Sequence, residues 1–144
     1  MSKGLTVRTE FKPPYPMTRR EYVFVLQRLL EILGYSGWSV ELSVTNDARI
    51  AALNHDFMNV LGPTNVLSFP EEGAFKQDAF LGSICLSADT VRREAFLYSQ
   101  ESREYAVRLL AHAILHLTGY DHGAAMDELT QEVTSLVTQE LEHS

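Results

Sequence analysis

At 144 residues the chain has room for one ordinary domain with a real core, and its 45% apolar content is that of a globular protein. A net charge of −7 argues against holding nucleic acid by bulk electrostatics, and the single cysteine, Cys85, leaves no internal disulfide partner. No apolar run approaches the length a bilayer requires, and the N-terminus lacks the apolar core of a secretion signal; no membrane partner is expected, and the cytoplasm is the expected location.

Leu5, Val7 and Thr9 alternate with polar neighbours and predict a first strand, which the Pro13–Pro16 segment ends. Thr18 followed by Glu21 is a capping box, so a helix should start there and bury Tyr22, Val25, Leu26, Leu29 and Leu33 before Gly34 stops it. Trp38, Val40, Leu42 and Val44 alternate as a half-buried strand. Thr45 and Asn46 then offer caps for a helix that buries Ile50, Leu53 and Phe57 and is closed by Gly62-Pro63.

Residues 64–70 and 80–86 predict two strands that can pair across a glycine-containing acidic loop. Ser87 caps a helix reaching about Tyr98, and a further helix from about Glu101 to Leu117 buries Val107, Leu110 and Ile114, with Gly119 placed to end it. A last helix, roughly Ala124 to Leu141, turns Leu129, Val133, Leu136 and Val137 inward. Cys85, between Ile84 and Leu86, reads as a small buried hydrophobe. The order β, α, β, α, β, β, α, α, α ends too rich in helix for repeated βαβ winding. We expect one α+β domain over residues 1–144, with a small mixed four-stranded sheet, about five helices and a metal site at the end of a helix.

Charge is unevenly spread. Residues 1–28 carry six basic side chains against two acids, whereas from Asp121 onward there are six acids and no Lys or Arg. Solvated faces of opposite sign are the commoner meaning of such a pattern; a basic face able to meet RNA is the sharper one.

The chemistry concentrates in His112-Ala-Ile-Leu-His116-Leu-Thr-Gly-Tyr-Asp-His122. Two imidazoles four residues apart on a helix project from one face, one turn apart, and can share an ion. Gly119 can take the left-handed conformation that ends a helix, letting the chain bring His122 over the same point. Any one histidine alone is more often packed or hydrogen-bonded than a ligand. Three within eleven residues around a helix-ending glycine favour a metal, with zinc preferred and Ni2+ or another divalent ion as alternative.

Three protein ligands leave a position open for water, which such a metal activates toward a phosphoryl or carbonyl centre; no other catalytic group is assigned. Asp121 and Ser68 are candidates to support the ligands from behind, Asp121 by fixing a histidine tautomer and Ser68 by facing the cleft from its strand. Asp121 can equally cap the turn. Tyr120 is expected to pack beside the site, Met58 to lie near the core without a ligand role, and His55 and His143 to be surface residues. The spacing also matches the zinc helix of metzincin peptidases, but the general-base Glu that follows the first histidine there is Ala113 here, which counts against a zinc metallopeptidase.

Together with Pro63-Thr-Asn-Val-Leu-Ser-Phe-Pro70, the histidine string resembles the bacterial YbeY family of metal-dependent endoribonucleases and rRNA maturation factors. Leu53-Asn54, Leu81-Gly82 and Arg92-Arg93-Glu94-Ala95 agree as well. The resemblance implies a single-domain α+β fold, zinc on His112, His116 and His122, and single-strand-specific cleavage in 16S rRNA 3′ maturation and ribosome quality control, with rRNA or its precursor and the small ribosomal subunit as partners. The chain departs from the family pattern at Met58, where an arginine thought to assist catalysis is usual, and at Asn65 and Ser83, where Asp is common. Losing that guanidinium opens an alternative: a catalytically weak, metal-binding ribosome-assembly or RNA-binding factor.

Overall fold

The computed structural model describes residues 5–10, 14–62, 64–71 and 79–143. Pro13, Pro63 and most of the acidic loop lie outside the described residues. Four strands, β1 (Thr6–Thr9), β2 (Ser39–Thr45), β3 (Val66–Pro70) and β4 (Phe80–Ser87), form one sheet in the order β1-β2-β4-β3. The pairs β1/β2 and β2/β4 are parallel and β3/β4 is antiparallel, so the sheet is mixed. The helices are α1 (Arg19–Ile32), α2 (Asp47–Met58), α3 (Ala88–Leu97), α4 (Ser102–Leu117) and α5 (Ala124–Glu142). This is the expected α+β architecture.

Local sequence sets the helix starts. Thr18 accepts from the Glu21 amide while Glu21 accepts from the Thr18 amide, a complete capping box. Asn46 and Ser87 cap α2 and α3 through their side chains. Asp47 then ties those two helix starts together, accepting from Ser87, Thr90 and Arg93. Those bonds, together with the Arg93 charge, hold its carboxyl below the usual carboxylate range against the opposing effect of desolvation.

Strand alternation divides the core. Val40, Leu42 and Val44 of β2 and Ile84 and Leu86 of β4 join the large cluster built with α1, α4 and α5. Leu67 and Cys85 form a small second cluster with Ile50 of α2. Cys85 is buried as expected, and burial pushes its thiol up to about 11.

Several side chains differ from expectation. In α1, Leu30 is buried where Leu33 was expected; Leu33 caps the helix and is half-buried. Phe57 is 66% exposed, because the last turn of α2 overhangs the sheet and offers it little but the edge of Phe69, 5.5 Å away. Met58, expected near the core, is exposed for the same reason. The helix is closed by Asn59 in the left-handed conformation, with Gly62 accepting a bond from buried Asn54 instead of ending the helix. Leu136 is 49% exposed: Thr130, Val133, Thr134, Val137 and Leu141 define the buried arc of α5, and Leu136 falls off its edge.

Gly82 fixes how closely the site strand approaches. A Cβ there would lie 2.3 Å from the Phe69 carbonyl oxygen and 3.0 Å from Leu117 at the end of α4, at a φ of +143°. Only glycine lets β3, β4 and α4 converge. We expect Gly82→Ala to destabilise the protein by about 2–4 kcal/mol in denaturant unfolding, by forcing β3 away from α4.

Candidate metal centre

Helix α4 is enclosed by β3, β4, α1, α3 and α5. From Tyr105 to Leu117 every side chain is buried except Arg108, His112 and His116, which are half-buried and fall four residues apart. That spacing makes one stripe along the helix. The stripe opens on a cleft of about 700 Å³, whose other wall is β3 with Asn65, Val66 and Ser68 and whose rim carries His122, Asp127 and Gln131.

The turn after α4 delivers the third imidazole. The Gly119 amide donates to the His116 carbonyl and the Tyr120 amide to the Leu115 carbonyl, closing the helix with the paired bonds of a Schellman motif. Gly119 takes a φ of +99°, which an L side chain would resist. His122, three residues on, points back at the stripe. Its ring centre lies 5.3 Å from that of His112 and 4.6 Å from that of His116.

The Nε2 atoms of His112 and His116 are 3.1 Å apart, and ligating atoms of all three rings lie within 4.8 Å of one another. Two nitrogens bound tetrahedrally to one zinc would be about 3.3 Å apart, so the helical pair is already at the required spacing. Burial lowers the pKa of His112, with further lowering from His116 and His122 and an opposing effect from Asp127. His116 is lowered by burial and by His122, against a Tyr120 backbone hydrogen bond and the Asp121 charge. Rings with such pKa values are neutral near pH 7 and present lone pairs, the form a metal takes. The donor set therefore fits a divalent ion that accepts imidazole, a group including zinc and nickel.

The supporting residues divide. Ser68 lines the cleft, and its hydroxyl donates to the Ala113 carbonyl at 3.5 Å, a long bond that leaves it close to α4. Asp121 is exposed and acts on His116 by charge, without a hydrogen bond to any of the three rings. The backbone of Tyr120 reaches His116 instead, while the Tyr120 ring, expected to pack beside the site, is exposed. Ala113 is fully buried in the core. The position that carries the general base in the peptidase helix thus faces away from the cleft. His55 and His143 are exposed, as expected.

Among the cleft residues that sequence reasoning missed, two carry charge, Arg108 and Asp127. Arg108 carried a signal, its place four residues before His112, whereas Asp127 had none. The motif residues outside the cleft are anchors. Glu94 accepts from the Asn65 amide at 3.0 Å and from the Tyr105 hydroxyl at 2.7 Å, tying β3 to α3 and α4. Arg93 pairs with Asp47, and Arg92 lies 4.5 Å over the ring of Tyr15.

Residues 14–143 match the family model described as Endoribonuclease YbeY. A curated relative of that name from Oleidesulfovibrio alaskensis is 38% identical over 154 positions, covering 93% of this chain and 91% of its own. Another, from Nitratidesulfovibrio vulgaris, is 43% identical over 129 positions, covering 78% and 80%. The solution structure of a Thermotoga maritima protein superposes with a TM-score of 0.69 at 23% identity, covering 96% of this chain and 92% of its own, and shares the fold.

Two outcomes are expected. In elemental analysis of untagged protein, one divalent ion per chain should be found in wild type and be largely lost in His116→Ala, with far-ultraviolet circular dichroism unchanged. Because burial disfavours the protonated form of His112 and His116, metal affinity measured by titration should fall as the pH drops through and below the ordinary imidazole range. The ion-free fold should lose stability over that same acid range, since the unfolded chain takes up the protons more readily.

Proposed function

Because the chain belongs to the endoribonuclease YbeY family, we propose that it cleaves single-stranded RNA with one divalent ion, zinc by preference, held by His112, His116 and His122. The observation that carries this reading is the convergence of three imidazoles, two of them held below their ordinary pKa, at the mouth of an open cleft. A bound ion would supply Lewis acidity and lower the pKa of a coordinated water. The chain's own part is positional. Helix α4 holds two ligands rigidly one turn apart, and the turn at Gly119 presents the third. The strand β3, anchored by Asn65 to Glu94, forms the wall against which a single strand would lie.

The preference for a single strand is what the family resemblance implies, and an open cleft of about 700 Å³ is compatible with an extended strand. Within the cell, the substrate we propose is rRNA, with 16S 3′ maturation and quality control on the small ribosomal subunit as the setting and the cytoplasm as the place. The resemblance at the two motif strings supports this. Residues 1–144 would act as one hydrolase domain.

One observation favours a second reading, a metal-binding RNA or ribosome-assembly factor with slow turnover: Met58 lines the cleft and brings no charge to it. Single-turnover cleavage of a labelled single-stranded RNA separates the two. Under the leading reading, wild type cleaves, chelation and His116→Ala reduce the rate by at least about a hundredfold, and Met58→Arg changes it by less than about threefold. A His116→Ala protein as active as wild type would remove this site as the source of cleavage. A large gain in Met58→Arg would favour the second reading.

A further inference from the structure

Building on the RNA-cleaving assignment above, we propose that Arg108 is the phosphate-holding residue of the cleft, gripping the RNA backbone one helical turn from the metal ligands. Three observations converge on it. Arg108 is the third member of the polar stripe of α4, and it lines the same cleft as His112, His116 and His122. Its position four residues before His112 sets it about 6 Å along the helix from that ligand, on the same face.

Its guanidinium is also uncommitted. Arg28, Arg93 and Arg103 are bound to carboxylates, Arg8 lies against Glu41, Arg19 donates to the Val7 carbonyl, and Arg92 stacks on Tyr15. Among the described residues, Arg108 has no ion pair and no side-chain hydrogen bond, a state it shares with Arg20 and Arg49, but those two are exposed and outside the cleft. The Arg108 side chain is half-buried and lines the cleft, so the guanidinium is free to take an anion there. Asp127 shares the rim but stands unbonded to it, and Met58 on the facing side contributes no charge. For a chain of net charge −7, RNA must be held by local cations. A guanidinium presents a planar fork matched to two phosphate oxygens, and this one is placed where a strand crossing the three histidines must pass.

The test measures binding of a phosphorothioate single-stranded RNA, which resists hydrolysis, to metal-loaded wild type, Arg108→Met, Arg108→Lys and Arg20→Met across a salt series. Arg20 is exposed on α1, outside the cleft. We expect Arg108→Met to lose about tenfold in affinity and to flatten the logarithmic salt dependence by about 0.7, the contribution of one phosphate contact on a single strand. Arg108→Lys should keep most of the slope, Arg20→Met should match wild type, and all should retain the ion. The proposal is overturned if Arg108→Met binds like wild type with the same slope, if Arg20→Met loses as much, or if Arg108→Met sheds the metal. In each of these cases cleavage by wild type leaves the endoribonuclease assignment standing. A wild type that neither binds nor cleaves RNA overturns both.

Discussion

The organisation of this protein depends on the enclosure of α4. A helix covered by two strands and three other helices has no solvated side on which to carry polar residues, so each one it does carry must meet a defined partner or a cavity. Ten of the thirteen positions from Tyr105 to Leu117 are buried. The remaining three form the floor of the cleft. Burial of Ile114, Leu110 and Val107, each contributing about 1.5–3 kcal/mol, fixes the rotation of the helix and thereby aims the stripe. The ligands are set by the same packing that stabilises the fold.

The opposite wall follows from sheet order. Strand β3 sits at the edge and runs antiparallel to β4, so one face of it meets α2 through Leu67 while the other, with Val66 and Ser68, turns toward α4. Gly82 lets this wall approach the end of α4 within contact distance, and Glu94 anchors it through Asn65. Within β3, Leu67 and Phe69 thus pack toward α2, while Val66 and Ser68 line the site.

Electrostatically, the cleft differs from the protein that surrounds it. The chain is acidic overall, yet the described cleft lining sets one arginine and three imidazoles against a single carboxylate, Asp127. Burial and the neighbouring imidazoles lower the pKa of His112, so Arg108 and whatever ion the imidazoles hold are the main charges for a polyanion there. Among the described basic residues of the N-terminal segment, Arg8, Arg19 and Arg28 are engaged with Glu41, Val7 and Glu31 together with Glu140, and neither they nor Arg20 line the cleft.

Much was already legible along the chain because it is local. Capping at Thr18, Asn46 and Ser87, the alternation of β2 and the glycine stop after α4 are set by neighbours within a few residues, and the element order followed from them. The three histidines were visible because two lie one helical turn apart and the third follows a left-handed glycine, both short-range relations. Tertiary structure alone decided what depends on distant partners. Phe57, Met58 and Leu136 are exposed because of where α2 overhangs the sheet and which arc of α5 meets α4 and α1, facts no periodicity contains. Asp127, five residues beyond His122, joins the cleft because α5 packs back along α4, and Arg108 stands out because its neighbours are buried while it lacks a partner. Local sequence fixes which groups face one way, whereas burial and isolation are properties of the space the rest of the chain fills.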